Sequence, residues 1–478
     1  MSATFGSSVA RIAREELRAM WRQRVTLVAL ILGLLLAATA TLVGYEHRRS
    51  VEGDRERYQS AADAQWHAQP DRHPHRVVHY GHYVFRPLTP LAFFDSGIDA
   101  FTGHMLYLEG HRQNTANFSD ARQSSVLLRF GLPTPAFVLQ TLLPLLIVFL
   151  AFGCISRERE RGSLRLLLAQ GVSPARILYG KLAGHGALAL LIASPALLAL
   201  AAVAVLAPGQ RIEALLMMTG YALYLLLWAA IAVCMSGAVS RARDALLCLL
   251  ALWAAVVIVL PRLLPDLASA RVELPTRIEI DVAIHKALAQ IGDSHDPNDP
   301  YFSGYRQKIL AQYGVQKIED LPVNYGGLLL KEGERLTSEL FDRHTRELFR
   351  MQEAQSRFVD AFAVASPFLA LRRLSMSLAG TDRQTHERFL IEAEKYRFNL
   401  IQALNELHAR HVRFENDRDQ RISQTHWQSL PRFSFPPRDT AEAVRLHALP
   451  ALSAMVLWLF LLVPFLPLVA WRMGRVRA

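Results

Sequence analysis

The sequence predicts an all-α polytopic membrane protein with about six transmembrane helices, and three observations lead there. The chain has 478 residues, 51% of them hydrophobic and only 20% charged, which is apolar-rich for a protein of this length. Its apolar residues gather in runs near the ~20 that a helix needs to cross a hydrocarbon core of roughly 30 Å. Its arginines crowd the short segments beside those runs, the signature of cytoplasmic flanks.

Residues 1–24 read as a cytoplasmic interface helix. From Ser7 to Arg24 the residues Arg11, Arg14, Arg18 and Arg22 share a face, while Val9, Ile12, Leu17, Met20 and Trp21 fill much of the rest. Such a helix lies along a membrane surface, unless it is only a basic flank that sets topology. The first span is Val25–Gly44 (residues 25–44). It has no convincing small-residue cleavage site and is followed by His47-Arg48-Arg49, so it is expected to stay as a helix rather than leave as a signal peptide.

Residues 45–135 form a first periplasmic insert, beginning as a charged helical continuation and turning rich in His, Pro, Gly and aromatics. Span two is Ala136–Ile155 (136–155), followed by a cytoplasmic loop at 156–181. Spans three to five are Leu182–Leu206 (182–206), Ala214–Val239 (214–239) and Ala245–Leu264 (245–264). Residues 265–448 make a second periplasmic insert, Leu449–Trp471 (449–471) is span six, and 472–478 form a cytoplasmic tail.

Net charge is +11, yet its distribution argues against a nucleic-acid partner. Arg157, Arg159, Arg161, Arg165, Arg176 and Lys181 lie between spans two and three, Arg241 and Arg243 between four and five, and Arg472, Arg475 and Arg477 after span six. The short loop Ala207–Ile212 has only Arg211. This asymmetry predicts a multi-pass protein of the bacterial inner membrane, in contact with its lipid and with both termini cytoplasmic. Cys154, Cys234 and Cys248 fall within or at the ends of spans and form no C-x-x-C. They are expected to be packing residues, not a disulfide or zinc framework.

The second insert is expected to be mostly helical. Phe389, Ala393, Tyr396, Leu400, Leu404, Leu407, His411 and Phe414 recur at steps of three and four, a helix-packing seam that needs a partner. An earlier stripe, Leu329, Leu336, Leu340, Leu348, Gln355, Val359 and Phe362, is the expected partner in an antiparallel hairpin. The amphipathic stretch Ser366–Gly380 is expected either on the outer membrane surface or packed against that hairpin.

Several chemistries are disfavoured. The middle of every span lacks Asp, Glu, Lys, Arg and His, which leaves a proton-driven pump little to work with. Gly180-Lys181 is followed by Leu182, and no phosphate-binding G-x-x-x-x-G-K-[ST] loop occurs. His386-Glu387 does not complete a metalloprotease H-E-x-x-H, because residue 390 is Leu. The cluster His67, His73, His75, His79 and His82 raises metal binding. However, alternating His without Cys fixes no geometry, so His73, His75, His79 and His82 are expected to make structural hydrogen bonds and no metal is expected. Asp293, Asp296 and Asp299 lack the Gly and terminal Glu of an EF-hand loop and read as a solvated turn.

The most informative segment runs Ile155-Ser156-Arg157-Glu158-Arg159-Glu160-Arg161-Gly162-Ser163-Leu164-Arg165-Leu166-Leu167-Leu168, through Gln170-Gly171-Val172-Ser173-Pro174, to Gly180-Lys181. It resembles the cytoplasmic loop of type-two ABC exporter permeases, with E-x-G-[ST]-L before a Leu-rich helix and a small turn. Carried over, the resemblance makes Glu158, Glu160, Arg161, Gly162, Leu164 and Leu167 the element that contacts an ATPase. Arg165 stands where many relatives have an acidic residue. Further resemblance lies in His75-Arg76-Val77-Val78-His79-Tyr80-Gly81, Phe85-Arg86-Pro87, Leu108-Glu109-Gly110-His111-Arg112-Gln113-Asn114, Ser366-Pro367 and Leu378-Ala379-Gly380-Thr381-Asp382. These look like a subgroup with two large extracytoplasmic inserts of unassigned function.

The resemblance implies a non-catalytic permease with no cofactor of its own. ATP and Mg would be used by a separate dimeric ABC ATPase, and the permease would pair with a second copy or a related permease. Mechanotransmission or assembly acting on a periplasmic partner is the competing expectation. An enzyme is disfavoured by the absence of any nucleophile–base or metal constellation.

Overall fold

The computed structural model describes residues 2–110, 113, 133–292, 296 and 299–475. His111, Arg112, Asn114, Asp293 and Arg477, named above, lie outside them. The protein is an all-α polytopic membrane protein, and among the described residues six helices are long and apolar enough to cross a membrane. They are Arg24–His67 (span one), Pro135–Glu160 (span two), Pro174–Leu206 (span three), Pro208–Ala238 (span four), Ala242–Arg271 (span five) and Thr440–Gly474 (span six).

The helices start where the local chemistry requires. Thr134 and Ser173 accept bonds from the N–H groups of Phe137 and Arg176, and each is followed by a proline, which fits a first helical turn because it has no N–H to leave unpaired. Several helices outrun their apolar stretches, since a helix need not end where lipid does. A separate helix, α1 (Ser2–Arg22), precedes span one. Span one is α2 (Arg24–His67), one helix of 44 residues, about 66 Å long at 1.5 Å per residue.

Span four is the centre of the bundle. Its most apolar window is 67% buried, against 17% for spans five and six, and Tyr221, Tyr224 and Trp228 are enclosed. Spans three, two and six pack around it. Spans five and six keep broad apolar faces exposed, including Leu247, Val259, Phe460 and Leu461.

The first insert continues from α2 into α3 (Pro74–Val78) and a two-stranded antiparallel sheet, β1 (His82–Phe85) with β2 (Met105–Leu108). His82 stands opposite Leu108, and Phe85 opposite Met105. The end of span two forms α4 (Ser156–Glu160), and the loop that follows it to span three contains α5 (Ser163–Ala169). The second insert contributes α6 (Arg277–Ile291), α7 (Pro300–Tyr313), α8 (Tyr325–Ala361), α9 (Pro367–Ala379) and α10 (Arg383–His411).

The arms α8 and α10 are antiparallel neighbours, but their interface is polar rather than the expected apolar seam. Lys331 pairs with Glu406 at 2.6 Å and the enclosed Arg397 with Glu334 at 2.6 Å, while Arg383 meets Glu353 near the other end. The seam on α10 instead buries its apolar side against the first insert. Phe389 and Ala393 pack with Val84, Leu106 and Leu108 of the sheet. Leu400 and Leu404 pack with Trp66, Val77, Val78 and Trp427. The first insert presents Trp66, Val77, Val78, Val84, Leu106 and Leu108 to that side of α10, and enclosing them together removes apolar area from water. Part of the α8 stripe turns away, Leu336 and Leu340 lining a small cavity with Ala287 and Ile291 of α6.

The stretch Ser366–Gly380 also departs from expectation. Its helix α9 neither rests on a surface nor packs mainly on the hairpin. It dips into the bundle between spans four and six, burying Phe368, Leu369, Leu371, Leu374 and Leu378. Leu371 and Leu374 reach the level of Gly220. The stretches Phe85-Arg86-Pro87 and Leu378–Asp382 meet above it. Arg86, 1% exposed, donates to the Gly380 carbonyl at 2.9 Å and to Asp99 at 2.6 Å, and Thr381 donates to the Asp95 carbonyl at 3.0 Å. The two inserts therefore form one body fixed to one end of the bundle.

Candidate functional site

At the opposite end, the loop between spans two and three is tied to three neighbouring helices by its own polar residues. Ser236 of span four accepts bonds from the backbone N–H groups of Ile155 (3.0 Å) and Ser156 (3.1 Å). Arg159 donates to the carbonyls of Gly237 (2.8 Å) and Val239 (2.5 Å), closing the C-terminal end of span four, where unpaired carbonyls and the helix dipole favour a cation. Glu160 accepts the backbone N–H of Ala242 at 2.9 Å, at the N-terminus of span five, where the dipole favours an anion.

The third attachment is a buried ionic cluster. Lys181 of span three, 3% exposed, donates to Glu158 at 2.8 Å and to Glu16 of α1 at 2.7 Å, while His185 lies 3.4 Å from Glu16. Burial alone would raise the Glu16 carboxyl, but the His185 hydrogen bond and the Lys181 ammonium outweigh it and hold the carboxyl down at about 2. Helix α1 approaches span three this closely because Gly180 has no side chain. A Cβ there would meet Ile12 Cγ2 at 2.5 Å.

Between α4 and α5 the chain reverses at Gly162, whose φ is +78°. That is left-handed backbone that glycine adopts without penalty. A Cβ there would meet nothing within 4 Å, so Gly162 serves the turn and not a close approach. Leu164 and Leu168 are fully enclosed and anchor α5 in the core, with Leu167 half-buried beside them. Arg161, Arg165 and Leu166 point outward, Leu166 being 67% exposed.

The chain matches the ABC-2 family transporter protein family over residues 10–318. It belongs to that family. This ABC-2 protein is accordingly a membrane subunit of an ABC transporter. A second match, to the domain of unknown function DUF3526, covers residues 277–436 and so takes in α6 to α10. No curated protein matches the chain.

Of the loop residues singled out in this ABC-2 chain, Glu158 and Glu160 are bound inward to spans three and five, and Leu164 is an internal anchor. Arg161 is at the surface, and Gly162 makes the turn. Sequence reading missed Glu16, Arg159, Lys181 and Ser236. The signal for Lys181 was a lone cation at the head of an apolar run, beside Gly180 and Gly184 at helix-packing spacing.

In the first insert of the ABC-2 protein, His73, His75, His79 and His82 do not converge. His75 and His79 face each other with Nε2 atoms 3.1 Å apart, and His82 lies near Asp63 and Trp66. His73 turns instead to His408, ring centroids 4.5 Å apart. Burial pushes the His73 and His82 imidazoles below their ordinary range. Asp299 caps α7 by accepting from the Phe302 N–H at 3.1 Å. Beside α9 a further polar cluster is enclosed. Tyr221 bonds to Gln140 (2.6 Å) and Ser375 (2.8 Å), next to Asp95, whose carboxyl is pushed up by burial.

Proposed function

We propose that this chain is the permease subunit of an ATP-driven exporter of the bacterial inner membrane, with the loop 156–181 as the element through which a separate ABC ATPase moves the spans. The observation that carries this reading is the threefold attachment of one short loop to span three through Glu158, to span four through Arg159 and to span five through Glu160. A push on α4 and α5 therefore reaches three spans and α1 together. Arg161, Arg165 and Leu166 supply the outward surface for the ATPase dimer. The chain itself is non-catalytic and binds no nucleotide, and ATP and Mg belong to the partner. The loop end and both termini face the cytoplasm, and the inserts face the periplasm. The exposed faces of spans five and six suit lipid and a second permease, identical or related.

The experiment is the double replacement Glu160→Arg, Gly162→Leu. It sets like charge against the N-terminus of span five and forces a side chain into left-handed backbone, while leaving the insert end untouched. The variant should reach the membrane at normal abundance and either fail to retain its ATPase on co-purification or leave hydrolysis uncoupled. Wild-type binding and activation of the ATPase by the double variant would remove the loop from this role.

A second reading, mechanotransmission to a periplasmic partner without transport, is favoured by α9. This helix is wedged between spans four and six and continuous with both hairpin arms, so movement of the bundle would be delivered to α8 and α10. Substrate-stimulated ATPase activity in reconstituted vesicles separates the two. Transport predicts stimulation by a substrate, and mechanotransmission predicts stimulation only by a partner protein.

A further inference from the structure

Where the two inserts meet, far from the loop, three potential ligands come together from distant parts of the chain. His73 precedes α3, His408 lies in the last turn of α10, and Asp417 follows in the return segment. One ligand atom from each lies within 4.8 Å of the others. His73 is 7% exposed and His408 3%. His408 Nε2 is 2.6 Å from Asp417 Oδ1. Neither His73 Nε2 nor His408 Nδ1 has a hydrogen-bond partner, and buried polar atoms left in that state are uncommon.

We propose that His73, His408 and Asp417 form a binding site for a divalent transition-metal ion of the zinc class, which staples the first insert to the second. Two imidazoles and one carboxylate without a thiolate suit zinc, copper or nickel, and not magnesium or calcium, which prefer oxygen. Bonds of about 2.0–2.1 Å in a tetrahedral site place ligand atoms roughly 3.3 Å apart. The His408–Asp417 contact opens slightly to accept the ion, and the His73 ring closes in by side-chain rotation. The Asp417 side chain, 38% exposed, leaves a path from solvent and room for a water as fourth ligand.

Part of the surrounding shell is also in place. Asn324, at the head of α8, donates its amide N–H to Asp417 Oδ1 at 2.5 Å and orients the carboxylate. His73 Nδ1 accepts the His75 backbone N–H at 3.1 Å. Coordination through Nε2 places the ring proton on Nδ1, so the ion must open that cap. Metal binding should therefore change the His73 tautomer as well as the metal content. The site joins α3, α8 and α10, and its existence does not depend on the coupling role of the loop.

The test uses full-length protein purified in detergent, stripped with a chelator and dialysed against zinc chloride, with magnesium chloride as control. Bound metal is counted by mass spectrometry and affinity measured by calorimetry. Wild type should hold about one zinc per chain and no magnesium. Asp417→Asn and His73→Asn should each weaken zinc at least ~10-fold, the scale expected when a ligand or its support is lost, and should abolish the zinc-dependent rise in melting temperature. His408→Gln should do the same. If it elutes as aggregate, the other two variants decide. Zinc well below one equivalent in wild type overturns the proposal. So does zinc that survives Asp417→Asn and His73→Asn but is lost in His75→Ala, His79→Ala, which would assign it to that neighbouring pair.

Discussion

Replacing Lys181 with Met tests whether the buried cluster, rather than the exposed loop surface, holds the loop to the bundle. The substitution keeps the length of the side chain and removes its charge, leaving the Glu16 and Glu158 carboxylates without the cation that both contact. Deleting one partner of a buried pair typically costs ~3–5 kcal/mol, because the remaining charge stays desolvated. Glu16 gives a separate check. A carboxyl lowered from 4.5 to about 2 contributes ~3 kcal/mol at ~1.4 kcal/mol per pH decade, shared between Lys181 and His185. Because the folded value is depressed, this contribution is complete above pH 4.5 and is lost as pH falls toward 2. Thermal unfolding in detergent should therefore separate wild type from Lys181→Met clearly at pH 7. The gap should narrow steadily below about pH 4. The triple variant Lys181→Met, Glu16→Gln, Glu158→Gln should recover much of the loss, since no unpaired charge remains. If Lys181→Met lies within ~0.5 kcal/mol of wild type at pH 7, or if the triple variant is no better than the single, the cluster does not anchor the loop.

Two other perturbations act at the insert end. Arg397→Met strands the buried Glu334 and the half-buried Glu394, which approach the guanidinium at 2.6 and 2.7 Å, and should destabilise the inserts by ~3–5 kcal/mol. Hydrogen exchange should rise in α8 and α10 and stay unchanged in spans three and four, and uniform protection would show that the hairpin does not depend on this pair. Topology is checked with fused reporters. A cytoplasmic reporter should be active after Arg165 and a periplasmic one near Gln113 or after Arg410, whereas cytoplasmic activity after Arg410 would remove span five or six from the assignment.

The spans were legible because lipid imposes a length and a composition on each helix separately. Charge asymmetry was legible for the same reason, being a property of short flanks. Contacts between distant segments were less so. The α10 seam was visible as a 3.6-residue period, but nothing in that period distinguishes α8 from the first insert as its partner, and in the fold it packs against Trp66, Val78 and Leu106. The short amphipathic stretch Ser366–Gly380 could not reveal that α9 sits inside the bundle, because a helix enclosed by other helices carries the same apolar residues as one lying on a membrane. At the loop, Glu158 and Glu160 stood out by pattern. Their partners Lys181 and Ala242 were fixed only by the fold, and Glu16 lies more than 140 residues upstream of Glu158 in a helix whose charge pattern is set by Arg11, Arg14, Arg18 and Arg22.

The placement of α9 also dictates an order of assembly. At 13 residues it is roughly 20 Å long, too short to span the hydrocarbon core by itself, so during synthesis it stays on the same side of the membrane as the rest of the second insert. Half of its berth is span six, which is synthesised after it. The apolar face of Phe368, Leu371 and Leu378 therefore waits at the insert end of the bundle until span six has entered, and only then is drawn between spans four and six. A nascent or truncated chain that lacks span six displays this face to chaperones and proteases, so the burial of one short helix reports that span six has been made and inserted.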